Sequence, residues 1–292
     1  MTSSILTKVR VKMSIQAKKR ATNTLDGNYK SIYKGRSMDF EDLREYVVGD
    51  DIKDIDWKAT ARSGQTLIRR YVAEKKHNIM IVTDIGERML AITPDNEIKG
   101  DLAVYSAGVL AYLATKHGDF ISLMTGNNQD MKKYHFKQGI NHAERLLHDY
   151  NKLLKEDKMD GNIGEILEFI CRKVKRRMII FVITDSSGVS KIDDSILKKL
   201  SVVNEQMFII LKDAQITDVD SKEALDIDSN KYIPKYIREN KELLIAEEIH
   251  KQELYDDIQN KLKKKGISNV LISNEKEVIN QILKLLEGHK NG

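Results

Sequence analysis

Residues 178–184 read MIIFVIT and contain an unbroken apolar run of six residues, and Asp185 follows directly. Residues 78–83 read NIMIVT and are followed by Asp84. Short apolar runs rich in β-branched residues are typical of strands that are covered on both faces of a parallel sheet. We therefore predict two buried parallel strands, each of which ends at an aspartate.

Helical periodicity alternates with further short strands on both sides of these two runs. The predicted helices are Glu97–His117, Asn141–Leu154, Ile163–Lys175, Asp194–Val203, Glu242–Lys264 and Glu275–Leu286; the further strands are Phe120–Met124, Lys133–Phe136, Met207–Leu211 and Val270–Ile272. This alternation predicts an α/β domain over residues 78–292, built on a doubly wound, mostly parallel, Rossmann-like sheet. In such sheets ligands bind beyond the carboxyl ends of the strands.

Residues 1–77 have a different pattern and are predicted to form a small N-terminal α+β subdomain. It contains a basic arm with a helix over Ile5–Lys19, followed by an acidic segment. Ser63-Gly64 lies between the segments Lys58–Arg62 and Gln65–Val72 and is predicted to be the turn of a β-hairpin. We expect this subdomain to pack against the sheet.

Composition indicates a cytoplasmic protein. The chain has 292 residues, of which 41% are hydrophobic, and a single cysteine, Cys171, so it cannot form an internal disulfide. It has neither an apolar stretch of about 20 residues nor the apolar core of a secretory signal.

Charge is distributed unevenly at the N-terminus. Residues 1–38 contain nine Lys/Arg and one acid, whereas residues 39–56 contain eight acids and two basic residues. The two stretches either pair internally or form a partner surface, and binding of the basic arm to an anionic lipid or nucleic acid is a third reading. Nucleic acid is not expected, because no aromatic residues interleave with the basic ones from Lys8 to Arg20.

The most informative stretch is Asp39–Gly64, DFEDLREYVVGDDIKDIDWKATARSG, which we call the signature segment. Trp57 is the only tryptophan and is predicted to pack between the hairpin and the sheet. Gly49 before Asp50-Asp51 indicates a tight turn, and Arg44 and Arg62 are expected to pair with nearby carboxylates. The segment is either an internally satisfied ionic network or a docking surface. The residues that we single out are Arg44, Tyr46, Gly49, Asp50, Asp51, Asp56, Trp57 and Arg62.

The signature segment resembles the pattern of the prokaryotic domain-of-unknown-function family fifty-eight. The resemblance covers roughly Leu25–Leu286 and rests on Gly35–Asp39, Phe40, Arg44-Glu45-Tyr46, Gly49-Asp50-Asp51, Ile55-Asp56-Trp57 and Thr60–Gly64, followed by a strand that ends in Asp84. It implies a von Willebrand factor A-like domain that binds proteins and acts with MoxR-type AAA+ ATPases in maturing or remodelling protein complexes.

The resemblance also implies a position for a divalent metal site. Such domains hold the ion with an Asp-x-Ser-x-Ser loop, a threonine and a second aspartate. Here Asp84 and Asp185 are present, Gly86 and Arg88 replace the two serines, and Asn162 lies near the threonine position. We expect Arg88 to pair with Asp84 or Asp185, so that the site is degenerate and holds no cofactor. Mg²⁺ held with help from Glu87, Thr125, Asn162 or Ser186 is the alternative.

Catalytic motifs are missing from the sequence. It contains no P-loop, no dinucleotide fingerprint, no nucleophile elbow and no H-E-x-x-H pair. We therefore expect a non-catalytic protein-binding module without a small-molecule substrate. Two alternatives stay open: a metal-dependent hydrolase or phosphotransferase that uses Asp84 and Asp185, and a protein that binds anionic surfaces through its basic arm.

Overall fold

The computed structural model describes residues 4–16, 24–29, 42–52, 55–70, 76–156, 161–215, 225–226 and 231–290. Its elements in chain order are α1 (Ile5–Gln16), α2 (residues 24–29), β1 (Asp42–Glu45), α3 (Trp57–Ser63), β2 (Leu67–Arg70), β3 (Asn78–Thr83), a 3₁₀ helix (Glu87–Leu90), α4 (Lys99–Lys116), β4 (Phe120–Gly126), β5 (Met131–Lys133), α5 (Ile140–Leu153), α6 (Ile163–Lys173), β6 (Ile179–Asp185), α7 (Ser186–Ser190), α8 (Asp194–Val203), β7 (Glu205–Leu211), β8 (Leu225–Asp226), β9 (Lys231–Tyr232), α9 (Lys235–Arg238), α10 (Lys241–Lys263), β10 (Ser268–Ile272) and α11 (Glu275–Lys290).

Six strands form the central sheet in the order β10-β7-β6-β3-β4-β5. Every neighbouring pair is parallel except β4 and β5, which are antiparallel. Numbered along the chain within this sheet, the strands lie in the doubly wound order 6-5-4-1-2-3. The predicted fold class is therefore confirmed. The order reverses between β3 and β6, and this places the switch point, where such sheets bind ligands, at the ends of these two strands.

Helices cover both faces of this sheet, which explains why its central strands are apolar throughout. All seven residues of β6 are buried. Ile179, Phe181 and Ile183 face a layer that includes α4, α5 and α11, whereas Ile180 and Val182 face a layer formed by α6, α8 and α10. Burying each such side chain contributes about 1.5–3 kcal/mol to stability. These two layers fix the strand ends that carry the polar residues described below.

The N-terminal helix belongs to the first of these layers. Leu6, Val9 and Met13 of α1 are buried in the same core as α4 and α5. Glu144 of α5 accepts hydrogen bonds from the backbone N–H groups of Ile5 and Leu6 at the start of α1. The predicted helix is present up to Gln16, and it packs against α4 and α5 on one face of the sheet.

The basic residues of this helix are only partly free. Lys8 and Arg10 are exposed, whereas the Lys12 Nζ lies 2.5 Å from the Glu275 Oε2. The predicted end of the helix at residues 17–19, and with it Lys18, Lys19 and Arg20, lies outside the described residues.

The prediction of a hairpin turn at Ser63-Gly64 is wrong. Residues 57–63 form α3, and Gly64 at φ 73° is its C-cap, a left-handed position that favours glycine. The helix begins where the side chain of Asp56 accepts hydrogen bonds from the N–H groups of Lys58 and Ala59. Strands β1 and β2 do pair antiparallel, but the connection between them contains the whole of α3.

Other differences between the predicted and observed elements lie mainly at their ends, where one or two residues are commonly gained or lost. The strand predicted at Lys133–Phe136 is Met131–Lys133 in the structure, and the helix predicted at Glu275–Leu286 continues to Lys290. None of the helices in the described part of the chain is long and apolar enough to cross a bilayer.

Candidate functional site at the carboxyl end of the sheet

Three carboxylates lie at the carboxyl ends of three adjacent strands. Asp84 follows β3, Asp185 ends β6, and Asp213 comes two residues after β7. Because these strands are parallel neighbours, their carboxyl ends meet at one edge of the sheet. Asp84 and Asp185 are almost completely buried. Buried carboxylates of this kind require partners in the protein.

Arg88 bridges two of these carboxylates. It lies in the 3₁₀ helix that follows β3. Its Nη2 atom donates a hydrogen bond to the Asp84 Oδ2 at 3.0 Å, and its Nη1 atom lies 3.5 Å from the Asp185 Oδ1. The guanidinium group therefore links the ends of β3 and β6 across the switch point.

Lys99 supplies a second cation and bridges the next pair. It is the first residue of α4, and only 2% of its surface is exposed. Its Nζ lies 2.8 Å from the Asp185 Oδ2 and 2.5 Å from the Asp213 Oδ1. We call Asp84, Arg88, Lys99, Asp185 and Asp213 the strand-end cluster. Its three acids and two bases leave a formal charge of about −1 when all are ionised.

Burial opposes the ionisation of Asp84 and raises the pKa of its carboxyl to about 6, although Arg88 acts in the opposite direction. The carboxylate also accepts hydrogen bonds from the Thr184 hydroxyl at 3.0 Å and the Ile85 N–H at 3.0 Å. The Asp84 carboxyl is therefore mostly ionised at pH 7, and it becomes half protonated about one pH unit below that.

The pKa values of Asp185 and Lys99 shift so that the charged form of each group is favoured. Burial opposes the ionisation of Asp185, but Lys99 and Arg88 outweigh it and hold the pKa of the Asp185 carboxyl below its usual range. Burial also opposes the charged form of Lys99. The negative charges of Asp185 and Asp213 outweigh this effect and raise the pKa of the lysine. Lys99 is therefore a permanent cation and is unsuited to act as a general base.

Two glycines allow other loops to approach this cluster closely. A Cβ atom on Gly161 would overlap the Asp84 Oδ1 and come within 2.6 Å of the Ile85 carbonyl oxygen. A Cβ atom on Gly188 would overlap the Thr184 hydroxyl and lie 3.2 Å from the Asp84 Oδ2. Such distances exclude a side chain at either position unless the surroundings shift.

The residues at this edge do not fit the divalent metal that the family resemblance implies. Gly86 and Arg88 stand where two hydroxyl ligands are expected, and Asn162 uses its side-chain oxygen to cap α6 by accepting the Glu165 N–H at 3.3 Å. A divalent ion about 4 Å from the Lys99 ammonium would be opposed by roughly 8 kcal/mol at an effective dielectric constant of about 20. Within the described ranges, no group of three or more His, Cys, Asp or Glu side chains is placed to hold a metal.

A polar cavity of about 650 Å³ opens beside the cluster. Arg88 and Glu87 line it from the loop after β3, residues 127–129 from the loop after β4, and Asn162 from the start of α6. Lys191, which follows α7, completes one side. The lining contains both charges and several amide groups, and it suits polar groups that donate and accept hydrogen bonds.

The signature segment is tied together by local hydrogen bonds. The Arg44 Nη2 lies 2.6 Å from the Asp50 Oδ1, and this contact holds the pKa of the Asp50 carboxyl below its usual range. Asp50 also accepts the Val47 N–H across the turn that contains Gly49. The Tyr46 N–H donates to the Thr66 carbonyl oxygen at 2.9 Å. The pairing predicted for Arg44 is thus present in the structure.

Other residues that we singled out in the signature segment lie at the surface. Trp57, the first residue of α3, is 66% exposed, so the prediction that it packs between a hairpin and the sheet is wrong. The reason is local: Asp56 caps a helix, and its first residue faces solvent. Asp51 and Arg62 are also exposed. Gly35–Asp39 and Phe40, which contributed to the family resemblance, lie outside the described residues.

Two members of the strand-end cluster were not found by sequence analysis. Asp213 follows an apolar strand, as Asp84 and Asp185 do, so a search for polar residues at the carboxyl ends of predicted strands also finds Asp213. Lys99 gives a weaker signal: it begins a helix, where the dipole disfavours a cation. Its long side chain reaches two carboxylates that are far away in sequence, and only the fold shows this.

The family described as "Protein of unknown function DUF58" matches residues 42–231. Uncharacterized proteins from Mycobacterium tuberculosis and Mycobacterium bovis are each 23% identical to the chain over 177 residues, or 60% of its length. The match spans 56% of the length of those relatives.

Similar solved structures include an aerotolerance-related membrane protein from Bacteroides fragilis, in a form with multiple mutations to serines. Its TM-score is 0.44 at 17% identity, over 72% of this chain and 98% of that one. A von Willebrand factor type A from Catenulispora acidiphila has a TM-score of 0.41 at 8% identity, over 76% of this chain and 43% of that one.

Proposed function

We propose that this chain, which belongs to the DUF58 family of proteins of unknown function, is a non-catalytic protein-interaction module of the bacterial cytoplasm. We further propose that it works with a MoxR-type AAA+ ATPase in the assembly or remodelling of protein complexes. The family and the doubly wound fold support the general role in protein binding. The observation that carries the proposal is the exposure of apolar side chains in the signature segment.

These apolar side chains lie in and around the turn between β1 and α3. Val48 is 95% exposed and Trp57 is 66% exposed, and Val47 and Ile52 are exposed as well. Single exposed apolar residues are common, but four large ones within 11 consecutive positions (47–57) are a feature of binding surfaces. Tryptophan is also enriched among the residues that dominate binding energy at protein interfaces.

Exposed acidic side chains accompany this apolar patch and indicate what kind of partner it fits. Glu45 and Asp51 are exposed, and the stretch from residue 39 to 56 contains eight acids against two basic residues. A partner with an apolar pocket rimmed by Lys and Arg would complement this surface in shape and charge.

The strand-end cluster supports the non-catalytic part of the proposal. The carboxylates of Asp84 and Asp185, which a metal-dependent hydrolase or phosphotransferase would need, are paired with Arg88 and Lys99. The Asp185 carboxylate is a poor general base at neutral pH, because Lys99 and Arg88 hold its pKa below the usual range. The pKa of Asp84 is raised, but this carboxylate is buried and both of its oxygens already accept hydrogen bonds. The cluster is therefore better suited to hold the strand ends than to carry out chemistry.

The proposal is tested by titrating each MoxR-type ATPase encoded in the source genome against the purified full chain. Wild type, Trp57→Ala and a control, Val202→Ala, are compared; Val202 is 83% exposed on α8, outside the signature segment. We expect one ATPase to bind wild type and control equally and to bind Trp57→Ala about tenfold or more weakly. Failure of every such ATPase to bind, or equal binding by Trp57→Ala, would contradict the proposal.

A further inference from the structure

We infer that Lys99 and Arg88 are built-in counter-ions that replace a divalent cation at the carboxyl end of the sheet. This edge is then held together without metal, so that a partner meeting it would find no open coordination position. The inference deepens the proposed binding role but does not depend on which partner binds. It rests on the burial of Lys99, on the partners of each carboxylate oxygen and on the strands that the two cations connect.

The burial of Lys99 is the first argument. A lysine at the start of a helix faces the unfavourable end of the helix dipole, and Lys99 is in addition almost fully buried. An ammonium group in such a position requires carboxylates close by. Asp185 and Asp213 lie within 2.8 Å of its Nζ on two different loops. The lysine is thus an integral part of this edge of the sheet.

All six oxygens of the three carboxylates in the strand-end cluster accept a hydrogen bond. On Asp84 the donors are the Ile85 N–H and, to the other oxygen, Arg88 and Thr184. On Asp185 they are the Gly188 N–H and Lys99. On Asp213 they are Lys99 and, to the other oxygen, the Ser186 hydroxyl at 2.7 Å. A metal that approached these oxygens would compete with donors held inside the protein and would be repelled by the two neighbouring cations.

The two cations connect the carboxyl ends of three strands. Arg88 joins the ends of β3 and β6, and Lys99 joins the ends of β6 and β7 to the start of α4. A bound dication commonly holds loops together at such a place by contacting several oxygens at once. Here the side chains of Arg88 and Lys99 hold the strand ends together instead, and the fold fixes the positions of both positive charges.

One consequence concerns how partners bind this face. An exposed metal ion attracts a carboxylate of the partner, because it leaves a coordination position open. The strand-end cluster offers no such position, and the cavity beside it is lined by amides and by charges of both signs. Binding at this face is therefore expected to persist in chelator and to need no acidic anchor on the partner.

The test is a Mn²⁺ titration of the full chain, followed by electron paramagnetic resonance and by thermal unfolding. The variants are wild type, Lys99→Gln, the double variant Arg88→Ser/Lys99→Ala, and Lys132→Ala as a control for the loss of an exposed, paired lysine. We expect wild type and control to bind no Mn²⁺ at millimolar concentration. The double variant is expected to bind Mn²⁺ and to unfold at a higher temperature when Mn²⁺ is present.

Binding of Mn²⁺ by wild type that is lost in Asp185→Asn would overturn the inference, as would a folded double variant that binds none. Lys99→Gln alone shows how much Lys99 contributes. If the double variant does not fold, Arg88→Ser/Lys99→Gln decides, because it removes both cations while its amide keeps a hydrogen-bond donor near Asp185 and Asp213. Mn²⁺ binding by that variant supports the inference and its absence contradicts it. Neither result alters the binding of an ATPase by the signature segment, so the two proposals fail separately.

Discussion

The strand-end cluster and the signature segment are both rich in aspartate, and the fold uses the two in opposite ways. In the cluster, Asp84 and Asp185 are buried and each is paired with a cation of the same chain. In the signature segment, Asp51 is exposed beside the exposed apolar side chains of Val48 and Trp57. The difference teaches that residue type alone does not mark a functional site, because burial decides whether an acidic group is enclosed in the fold or lies at its surface.

The largest expected effect comes from removing the ammonium group of the cluster. Lys99→Met keeps the length of the side chain but leaves Asp185 and Asp213 without their shared cation. We expect the free energy of unfolding to fall by about 3–5 kcal/mol, as is typical when one partner of a buried ion pair is lost. Urea denaturation measures this, with Lys132→Ala expected to cost less than about 1 kcal/mol. Equal effects of the two variants would mean that Lys99 is not integral to the cluster.

The next largest effect is a pH dependence with a defined sign. Because burial raises the pKa of Asp84 to about 6 in the folded state, the folded chain holds a proton there that the unfolded chain has already lost. The stability that Asp84 contributes is fully present below pH about 4 and is lost as pH rises through about 6.

This pH dependence is isolated by comparing wild type with Asp84→Asn from pH 4 to 7. The stability of wild type relative to the variant should decline by roughly 3 kcal/mol over that range. Asp185 acts with the opposite sign, because its pKa is lowered, but it is present in both proteins and cancels in the difference. A difference that stays constant or increases with pH would show that Asp84 is not a buried, destabilised carboxylate.

A smaller loss is expected from Gly161→Ala. The added methyl group would overlap the Asp84 carboxylate, and overpacking of this kind costs about 1–3 kcal/mol. Thermal unfolding measures the effect, and Gly27→Ala is a control because a Cβ atom at Gly27 meets nothing within 4 Å. If Gly161→Ala were as stable as wild type, the close approach of residues 161–162 to Asp84 would not hold in solution.

The smallest effect on stability is expected from Trp57→Ala in the signature segment. Trp57 is mostly exposed, and surface substitutions usually change the free energy of unfolding by no more than about 0.5 kcal/mol. Its expected effect is on partner binding instead. A loss of about 2 kcal/mol or more in urea denaturation would show that Trp57 supports the fold and would weaken the contrast between the two regions.

Sequence analysis predicted the sheet well because its signal is local. The run that became β6 is buried from end to end and the run that became β3 is buried from its second residue onward. Helical periodicity placed the surrounding helices within a few residues of their observed ends. Asp84 and Asp185 could be identified because each directly follows an apolar run that predicts a buried strand. The expected pairing of Arg88 with one of them followed from its place in the loop directly after Asp84, where a cation comes close to the carboxylate.

The remaining features depend on contacts that the sequence does not display. Lys99 meets Asp185 and Asp213 across 86 and 114 residues of chain, and no local pattern encodes such a meeting. Trp57 was predicted to be buried because tryptophan is large and apolar, but the N-cap formed by Asp56 turns the following residues into an exposed helix. Here local hydrogen bonding, not hydrophobicity, determined the position of the side chain.

The central claim is that the chain's own cations hold the strand-end carboxylates, and a crystal structure of the full chain grown in excess Mg²⁺ tests it most directly. The account predicts the Lys99 ammonium between Asp185 and Asp213, the Arg88 guanidinium on Asp84, and no ion at the cluster. A hydrated Mg²⁺ held between Asp84 and Asp185, with Lys99 and Arg88 turned away, would contradict it.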